Sequence, residues 1–406
     1  MRALMTRIAA VDAALNRASR LTRSLVLAFT LGVMVWMSLP NVPRQWVDFD
    51  RVPLLASIEQ QPEYGTDTLS DMYGARVILN DVSDMYTKSR TAQTPQEAAT
   101  WSREASAPYP PVVLLIEAGL YGLGERTGVG FYGFILLAAV LFLAGSLVYF
   151  WQTRWYLFPL LYLNFGYLSE RFVHVQDDTY LLMLVVLLAA LWLARAGRPN
   201  AAHLAMAVAI TMKLSGLYYV KNILRMPRGI AIAFATIVLA GLVAPYFIWD
   251  NYLYIYRYGN ELKGHWYDGA LAAMVVIPFA LTLWYLETRL AFDVEDLIGW
   301  GLVPFAMLLA LKMNVPRHLI LVLLVPDKRG VRTAAAALGM LVPAVVPGVA
   351  FGAATPIAVL VLVIGLAARL HELGWDRVRA DLRRPAATLR AMLGSGESAE
   401  NRGSVT

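Results

Sequence analysis

The chain has 406 residues, of which 58% are hydrophobic and 16% are charged. Its mean hydropathy is +0.53, whereas a typical soluble domain carries about 25% charged residues, so the composition excludes an ordinary soluble chain and indicates an integral membrane protein. The net charge is +6, and the lack of cysteine excludes disulfide bonds and thiolate metal sites.

The N-terminal segment, 1–23, contains five arginines and predicts a basic cytoplasmic segment. The apolar stretch 24–40 that follows it is long enough for a helical span. No small-residue cleavage pattern comes after this stretch. We therefore interpret it as a retained signal anchor rather than a cleaved signal peptide.

A long polar loop, 41–128, comes next and is crowded with carboxylates, namely Asp48, Asp50, Asp67, Asp71, Asp81 and Asp84. Segments 71–79 and 95–107 have the spacing of amphipathic helices. Segment 110–124 is apolar but short, begins at Pro110 and Pro111, and contains Glu117 and Glu125. We expect it to form a helix that lies in the membrane interface instead of crossing the bilayer.

Apolar segments predict about twelve transmembrane helices, and so an all-α polytopic membrane protein, because a spanning backbone must satisfy its hydrogen bonds internally. They lie at 24–40, 129–150, 154–168, 179–194, 202–212, 214–224, 229–249, 269–287, 294–312, 317–326, 332–350 and 354–369. The predicted membrane catalytic domain, 24–369, therefore includes the polar loop. A basic cytoplasmic tail, 370–406, follows and is expected to be partly disordered.

Short basic segments separate several spans and favour the cytoplasm. One of them is predicted as a short basic turn that contains Lys328, Arg329 and Arg332. If all of them lie on one side, both termini are cytoplasmic, as an even number of spans requires. The positive charge then serves topology and contact with membrane lipids, and we expect no nucleic-acid partner. On this topology segments 41–128, 169–178, 250–268 and 313–316 share the outer side.

Three predicted spans are too short to cross a bilayer alone. Segments 202–212 and 214–224 predict two half-length helices that meet near the outer side, with Lys213 and Ser215 at the break, and segment 317–326 is also short. Broken spans are tolerated only where protein or a water-filled cavity covers the exposed backbone. These segments therefore predict a cavity within the bundle.

Asp71 falls in the first turn of the helix predicted at 71–79. Its carboxylate is either a helix cap, favoured by the helix dipole, or a general base. Moving a glycosyl group onto a hydroxyl requires the acceptor proton to leave, and a carboxylate within hydrogen-bond reach can accept that proton. The residues alone leave both interpretations open.

An ordered series of motifs runs through the first half of the chain. It comprises Asp71-Met-Tyr73-Gly-Ala75-Arg76, Tyr86, Tyr109-Pro110-Pro111, Gln176, Met212-Lys213-Leu214 and Arg225-Met-Pro-Arg228. The series resembles the GT-C superfamily of polyprenyl-phosphate-sugar-dependent membrane glycosyltransferases, in the bacterial branch that contains the phosphatidylinositol mannoside α-1,2-mannosyltransferases. The resemblance covers about residues 65–230.

The resemblance implies a GT-C-like bundle whose large first periplasmic loop carries interfacial helices. It implies an inverting transfer of a hexose, expected to be mannose, from a polyprenyl-phosphate donor to a lipid or glycan acceptor at the periplasmic face of the bacterial inner membrane. By position Asp71 would be the general base, with Asp67 and Asp50 as alternates, and Tyr73 and Arg76 would contact sugar or acceptor.

A later outer loop departs from that branch. Where the branch often shows Asn-Gln-Ser, this chain has Asn260, Glu261 and, further on, His265 and Trp266. Trp266 belongs to a stretch rich in tyrosine and tryptophan, which is typical of an interfacial aromatic belt, although one or two rings could also stack on a sugar. The departure leaves the acceptor open.

Two further clusters carry polar chemistry. His174, Gln176, Asp177 and Asp178 are expected to hydrogen-bond sugar or phosphate, and a divalent cation is a possible cofactor there, although the spacing matches no known metal motif. Lys213, Arg317 and His318 would bind the donor phosphate and stabilise the charge that develops on it. Lys213 is the stronger candidate, because an ionisable residue inside a span is costly.

Two other classes of protein remain as alternatives. A lipid-linked glycan transporter or flippase would place carboxylates deep within several spans, whereas most carboxylates of this chain fall in loops. A polysaccharide polymerase or ligase would carry its major loop late in the chain, whereas here the large loop comes first. The absence of a Gly-rich phosphate-binding loop argues against nucleotide-driven transport.

Overall fold

The computed structural model describes residues 110–128, 178–249, 266–290, 292–313 and 354–394, together with shorter stretches and single positions within 10–28, 78–79, 134–149 and 319–338. The described residues form helices and turns without any strand. The all-α class is therefore confirmed, while the count of about twelve spans stays a prediction.

The helices are α1 (Pro111–Thr127), α2 (Asp178–Arg195), α3 (Pro199–Met212), a 3₁₀ helix (Leu214–Arg225), α4 (Arg228–Leu242), α5 (Ala244–Ile248), α6 (Trp266–Arg289), α7 (Val294–Gly301), α8 (Val303–Met313), α9 (Ala354–Leu373), α10 (Trp375–Leu382) and α11 (Pro385–Gly394).

Three segments of the described chain are long and apolar enough to cross a membrane: Ala270–Arg289, Val294–Leu311 and Thr355–Leu373. They coincide with the spans predicted at 269–287, 294–312 and 354–369, so membrane association is supported. In the Val294–Leu311 segment 72% of the residues are buried inside the protein, whereas in each of the other two segments the buried share is 33%. The α7–α8 segment is therefore central, and α6 and α9 are peripheral.

The outer face of α6 is apolar. Leu271, Met274, Ile277 and Leu281 are all more than half exposed and follow one another at intervals of three or four residues, which is the spacing of one helix face. A continuous apolar stripe of this kind is stable in lipid and unfavourable in water. The stripe agrees with a lipid-facing helix.

A tight turn joins α2 to α3. The N–H of Arg198 donates to the carbonyl of Leu193, and that of Gly197 donates to Ala194, at 2.9 and 3.1 Å. Gly197 has a φ of +71°, a conformation that residues with a β-carbon rarely adopt. This Schellman-type cap turns the chain back, so that α3 packs along α2.

The segments α3 and the 3₁₀ helix form a hairpin. The hydroxyl of Tyr219 lies 2.7 Å from Nδ1 of His203, although a continuous α-helix would separate these residues by about 24 Å. The chain therefore reverses at Lys213. At the usual rise per residue α3 is about 21 Å long and the 3₁₀ helix about 24 Å, so neither reaches across a ~30 Å hydrocarbon core.

Basic residues gather at one end of this hairpin. The 3₁₀ helix runs parallel to α6, because Tyr218 donates to the carbonyl of Ala280 at 3.0 Å and Lys221 pairs with Glu287 further along. The last residues of both helices therefore share an end with the start of α3. We call this end, marked by Arg195, Arg198, Arg225, Arg228 and Arg289, the basic end of the bundle.

Candidate functional site

The tip of the hairpin is the residue predicted to lie at a helix break. Lys213 has φ −154° and ψ 133°, so its backbone is extended, and its N–H donates to the carbonyl of Ala209 at 3.1 Å. The residue is only 9% exposed. The predicted break at Lys213 is confirmed, and the residue lies at the end of the hairpin opposite the basic end.

Two hydroxyl groups flank this lysine. Thr211 donates to the carbonyl of Val208 at 2.7 Å, so its hydrogen is occupied. Ser215 is completely buried, and its Oγ has no hydrogen-bond partner among the described residues. A buried hydroxyl without a partner costs roughly 1–3 kcal/mol. The Ser215 hydroxyl is therefore available to a polar ligand that reaches the tip.

The 3₁₀ helix presents one buried face. Gly216, Tyr219 and Asn222 are buried, whereas Leu217 and Leu224 are exposed. Side chains three residues apart overlie one another in a 3₁₀ helix, which explains the interval of three. A β-carbon on Gly216 would lie 2.8 Å from Ile210, so glycine permits the close packing of the two hairpin arms.

Helix α1 packs against α3 and α4 near the tip. A β-carbon on Gly241 of α4 would contact Thr211 and would lie 3.3 Å from Val112, so the first turn of α1 is next to the tip. The helix begins at Pro111, as predicted, because proline at the first helical position removes only an N–H that has no helical partner. Glu117, two turns later, is completely buried.

A second polar cluster lies nearer the basic end. The amino group of Lys221 pairs with the carboxylate of Glu287 and also donates to Asn222 Oδ1 at 3.3 Å. It lies 4.3 Å from the centre of the Tyr218 ring, a cation–π contact. The Glu287 side chain is fully buried and that of Lys221 is 11% exposed. The pair therefore joins the 3₁₀ helix to α6 in a water-poor environment.

Arg332 differs from its sequence-based interpretation. Its place beside Lys328 and Arg329 in the sequence predicted a short basic turn in contact with lipid headgroups. In the structure Arg332 is 1% exposed and its guanidinium lies 5.5 Å from the centre of the Trp300 ring. A β-carbon on Gly299 would collide with this guanidinium, so the glycine makes room for the charge. The basic-turn interpretation of Arg332 is therefore wrong.

Most predicted site residues cannot be compared with the structure. Those that lie outside the described residues are Asp50, Asp67, Asp71, Tyr73, Arg76, His174, Gln176, Asp177, Arg317 and His318. Asp178 and Trp266 are the first residues of α2 and α6, and only their backbone is described. Lys213 is the predicted site residue whose side chain can be assessed, and it is buried at the tip.

The polar side chains next to the turn of the hairpin are therefore a buried lysine and a buried serine. Within the described ranges no three His, Cys, Asp or Glu side chains are placed to hold a metal ion. The divalent cation suggested for the His174 region stays a prediction. The tip contains a lysine and a serine, two residue types whose side chains can donate hydrogen bonds to an anion.

Sequence reasoning missed several buried polar residues. His203, Tyr219, Asn222 and Glu287 were not singled out, although each lies in or beside an apolar run, which is the usual signal of an intramembrane functional or structural group. The sequence also shows non-aliphatic residues at a regular interval of three, namely Lys213, Gly216, Tyr219, Asn222 and Arg225. It would have indicated a 3₁₀ helix in place of an α-helix.

The chain matches no protein family, no curated protein and no solved structure. The choice of function therefore depends on the geometry of the tip and on the motif series of the sequence.

Proposed function

We propose that the chain is an integral membrane glycosyltransferase of the GT-C type. It moves a hexose, mannose in the first instance, from a polyprenyl phosphate to a lipid or glycan acceptor. The observation that carries the proposal is the buried Lys213 beside the hydroxyl of Ser215, at the tip of a hairpin too short to cross the membrane.

The reaction balances as a single displacement. The acceptor oxygen attacks the anomeric carbon, its proton passes to Asp71, and the bond from that carbon to the lipid phosphate breaks with its electron pair on the phosphate. The phosphate gains negative charge as it leaves. Lys213, together with Arg317 and His318, stabilises that charge, which lowers the barrier more than it strengthens donor binding.

The other predicted residues complete the site in this proposal. Gln176 and the Asp177–Asp178 pair orient the sugar, with His174 beside them, while Tyr73, Arg76 and Trp266 contact sugar or acceptor. The bundle contains about twelve spans. Both termini and the basic end face the cytoplasm of a bacterium, and the tip of the hairpin faces the periplasm, where the loop 41–128 covers it.

The decisive experiment measures transfer of radiolabelled mannose from a polyprenyl-phosphate donor to extracted lipids by the purified protein in nanodiscs. Asp71→Asn is the test variant and Asp81→Asn, in the same loop, is its control. General-base catalysis contributes about 10²–10⁴-fold, so Asp71→Asn should lose at least about 10²-fold in rate while Asp81→Asn keeps its activity.

Two outcomes would count against the proposal. Full activity in Asp71→Asn would move the base to Asp67 or Asp50. Absence of transfer by the wild-type protein from every polyprenyl-phosphate sugar offered, in protein that remains folded, would reject the enzyme altogether.

One observation favours a different class, a lipid-linked glycan transporter. Glu287 is almost fully buried within the candidate span Ala270–Arg289, and carboxylates inside spans mark substrate and ion pathways. The two proposals differ in what a sealed proteoliposome does. A transporter moves a fluorescent lipid-linked glycan across the bilayer without breaking a glycosidic bond, whereas the proposed enzyme releases polyprenyl phosphate.

A further inference from the structure

The two C-terminal helices, α10 and α11, begin where a membrane span ends. The candidate span Thr355–Leu373 ends in α9, and Gly374, with φ +89°, turns the chain into α10. The candidate span Ala270–Arg289 ends beside them, because Arg289 pairs with Asp381 at 2.8 Å. Two spans that end at α10 place it at a membrane surface.

Asp381 fixes α10 to the end of α6. Besides its ion pair with Arg289, its carboxylate accepts a hydrogen bond from the Tyr285 hydroxyl at 2.7 Å. Its backbone carbonyl accepts from the hydroxyl of Thr388 in α11 at 2.9 Å. The side chain of Val378 is buried on the same side. The two helices are therefore held on the bundle by a defined inner face.

The exposed residues of α10 and of the turn after it are mostly basic. Arg377 and Arg379 of α10 are exposed, as are Arg383 and Arg384, which directly follow it, and the one acidic residue exposed with them on this helix is Asp376, because Asp381 faces α6. Two large apolar side chains lie at the ends of the helix, since Trp375 is 51% exposed and Leu382 is 73% exposed. Helices that lie in the lipid headgroup layer are typically rich in arginine or lysine and also carry tryptophan or leucine.

We propose that α10 and α11 form a docking platform for an anionic phospholipid surface, in which the four exposed arginines bind headgroup phosphates and Trp375 and Leu382 enter the interface. Charge complementarity selects this occupant, because anionic leaflets attract clusters of arginine next to a span. The platform does not depend on the glycosyltransferase proposal, since neither α10 nor α11 contributes to the tip of the hairpin.

The absence of cysteine from the chain allows a direct test. Ala387→Cys, at an exposed position of α11, accepts a single fluorophore on the full-length protein in nanodiscs. Its fluorescence is measured with spin-labelled phosphatidylglycerol or with the same fraction of spin-labelled phosphatidylcholine. The platform predicts stronger quenching by the anionic lipid, and the difference should shrink as salt shortens the ~10 Å Debye length of a dilute buffer.

Variants that change the charge of the platform test whether electrostatic attraction, and not a change in folding, causes the preference for anionic lipid. Replacing the four arginines by glutamine should remove the preference for phosphatidylglycerol, replacing them by lysine should keep it, and Asp376→Asn should increase it. Equal quenching by both lipids in the wild-type protein would overturn the proposal. The proposal would also be overturned if aqueous iodide quenched the fluorophore and only the addition of an acidic protein prevented this quenching. That result would show that the surface binds a protein and not a membrane.

Discussion

The hydroxyl of Tyr219 and Nδ1 of His203 are 2.7 Å apart, while the two residues are separated by 16 positions in the chain. Tyr219 is completely buried and His203 is 6% exposed. Tyr219 also fills the space beside Gly301, where a β-carbon would lie 2.7 Å from its ring. This one hydrogen bond therefore joins the two arms of the hairpin, and the tyrosine ring joins the hairpin to the central α7–α8 segment.

Removing that hydroxyl should destabilise the protein. Tyr219→Phe leaves a buried imidazole nitrogen without its partner, which costs about 1–3 kcal/mol, and we expect a lower midpoint in thermal unfolding followed by intrinsic fluorescence. Tyr246→Phe is the control, because this tyrosine is 51% exposed and the loss of its hydroxyl should change stability by less than about 0.5 kcal/mol. Equal midpoints for wild type and Tyr219→Phe would show that the hydrogen bond does not hold the hairpin closed.

The Lys221–Glu287 pair predicts a non-additive mutant cycle. Glu287→Gln leaves a buried ammonium without its counter-charge, and such a loss costs about 3–5 kcal/mol. The double variant Lys221→Met, Glu287→Gln removes both charges and should be more stable than Glu287→Gln alone. The free energies of unfolding of the wild type, of Lys221→Met, of Glu287→Gln and of the double variant together measure the coupling. Additive losses would mean that the two charges do not interact in the membrane.

The space beside Gly299 in the centre of the bundle is too small for a side chain larger than hydrogen. Gly299→Ala would place a methyl group against the buried guanidinium of Arg332, and overpacking of this kind costs about 1–3 kcal/mol. Gly119→Ala is the control, because it lies within α1 with no atom within 4 Å of the new β-carbon, and it should be neutral or stabilising by about 0.5–1 kcal/mol. If both variants unfold at the same midpoint, Arg332 is not confined beside Gly299.

Membrane sidedness can be measured with single cysteines. Ala196, Gly229 and Ala387 are exposed at or near the basic end, and cysteine at each of them should react with an impermeant maleimide from the same side of the membrane. On the proposed orientation that side is the cytoplasm, so inside-out vesicles should label and intact spheroplasts should not. Labelling of Ala196→Cys and Gly229→Cys from opposite sides would rule out the hairpin.

The sequence predicted the elements that depend on local pattern. The predicted spans at 269–287, 294–312 and 354–369 follow from apolar length, and the structure has helices there that are long and apolar enough to cross a membrane. The structure also contains the helix that begins at Pro111 and the break at Lys213, which was predicted from an ionisable residue inside an apolar run. Hydrophobicity alone did not distinguish a 3₁₀ helix from an α-helix at 214–225, because the buried face of this helix is Ser215, Gly216, Tyr219 and Asn222, while Leu217 and Leu224 are exposed.

The sequence did not predict the contacts that close the bundle. Lys221 and Glu287 are 66 residues apart, and Arg289 and Asp381 lie on helices that are distant in the chain. Such pairs depend on how helices pack, which a pattern of apolar residues does not specify. For the same reason Arg332 was placed in a basic turn, since its sequence neighbours are basic and its buried partner Trp300 is remote. The carboxylates of the loop 41–128, including Asp71, remain predictions.

Lys213 provides the sharpest test of the proposed chemistry. If its ammonium stabilises charge on the departing phosphate, Lys213→Met should lower kcat by about 10²–10³-fold, while the KM for the polyprenyl-phosphate donor changes less, because the interaction strengthens in the transition state. Lys213→Arg keeps the charge and should retain part of the rate. Arg198→Gln, an exposed cation at the opposite end of α3, is the control and should leave kcat unchanged. A purely structural lysine would give the opposite pattern: Lys213→Met would lower the unfolding midpoint, and the protein that remained folded would transfer sugar at the wild-type rate.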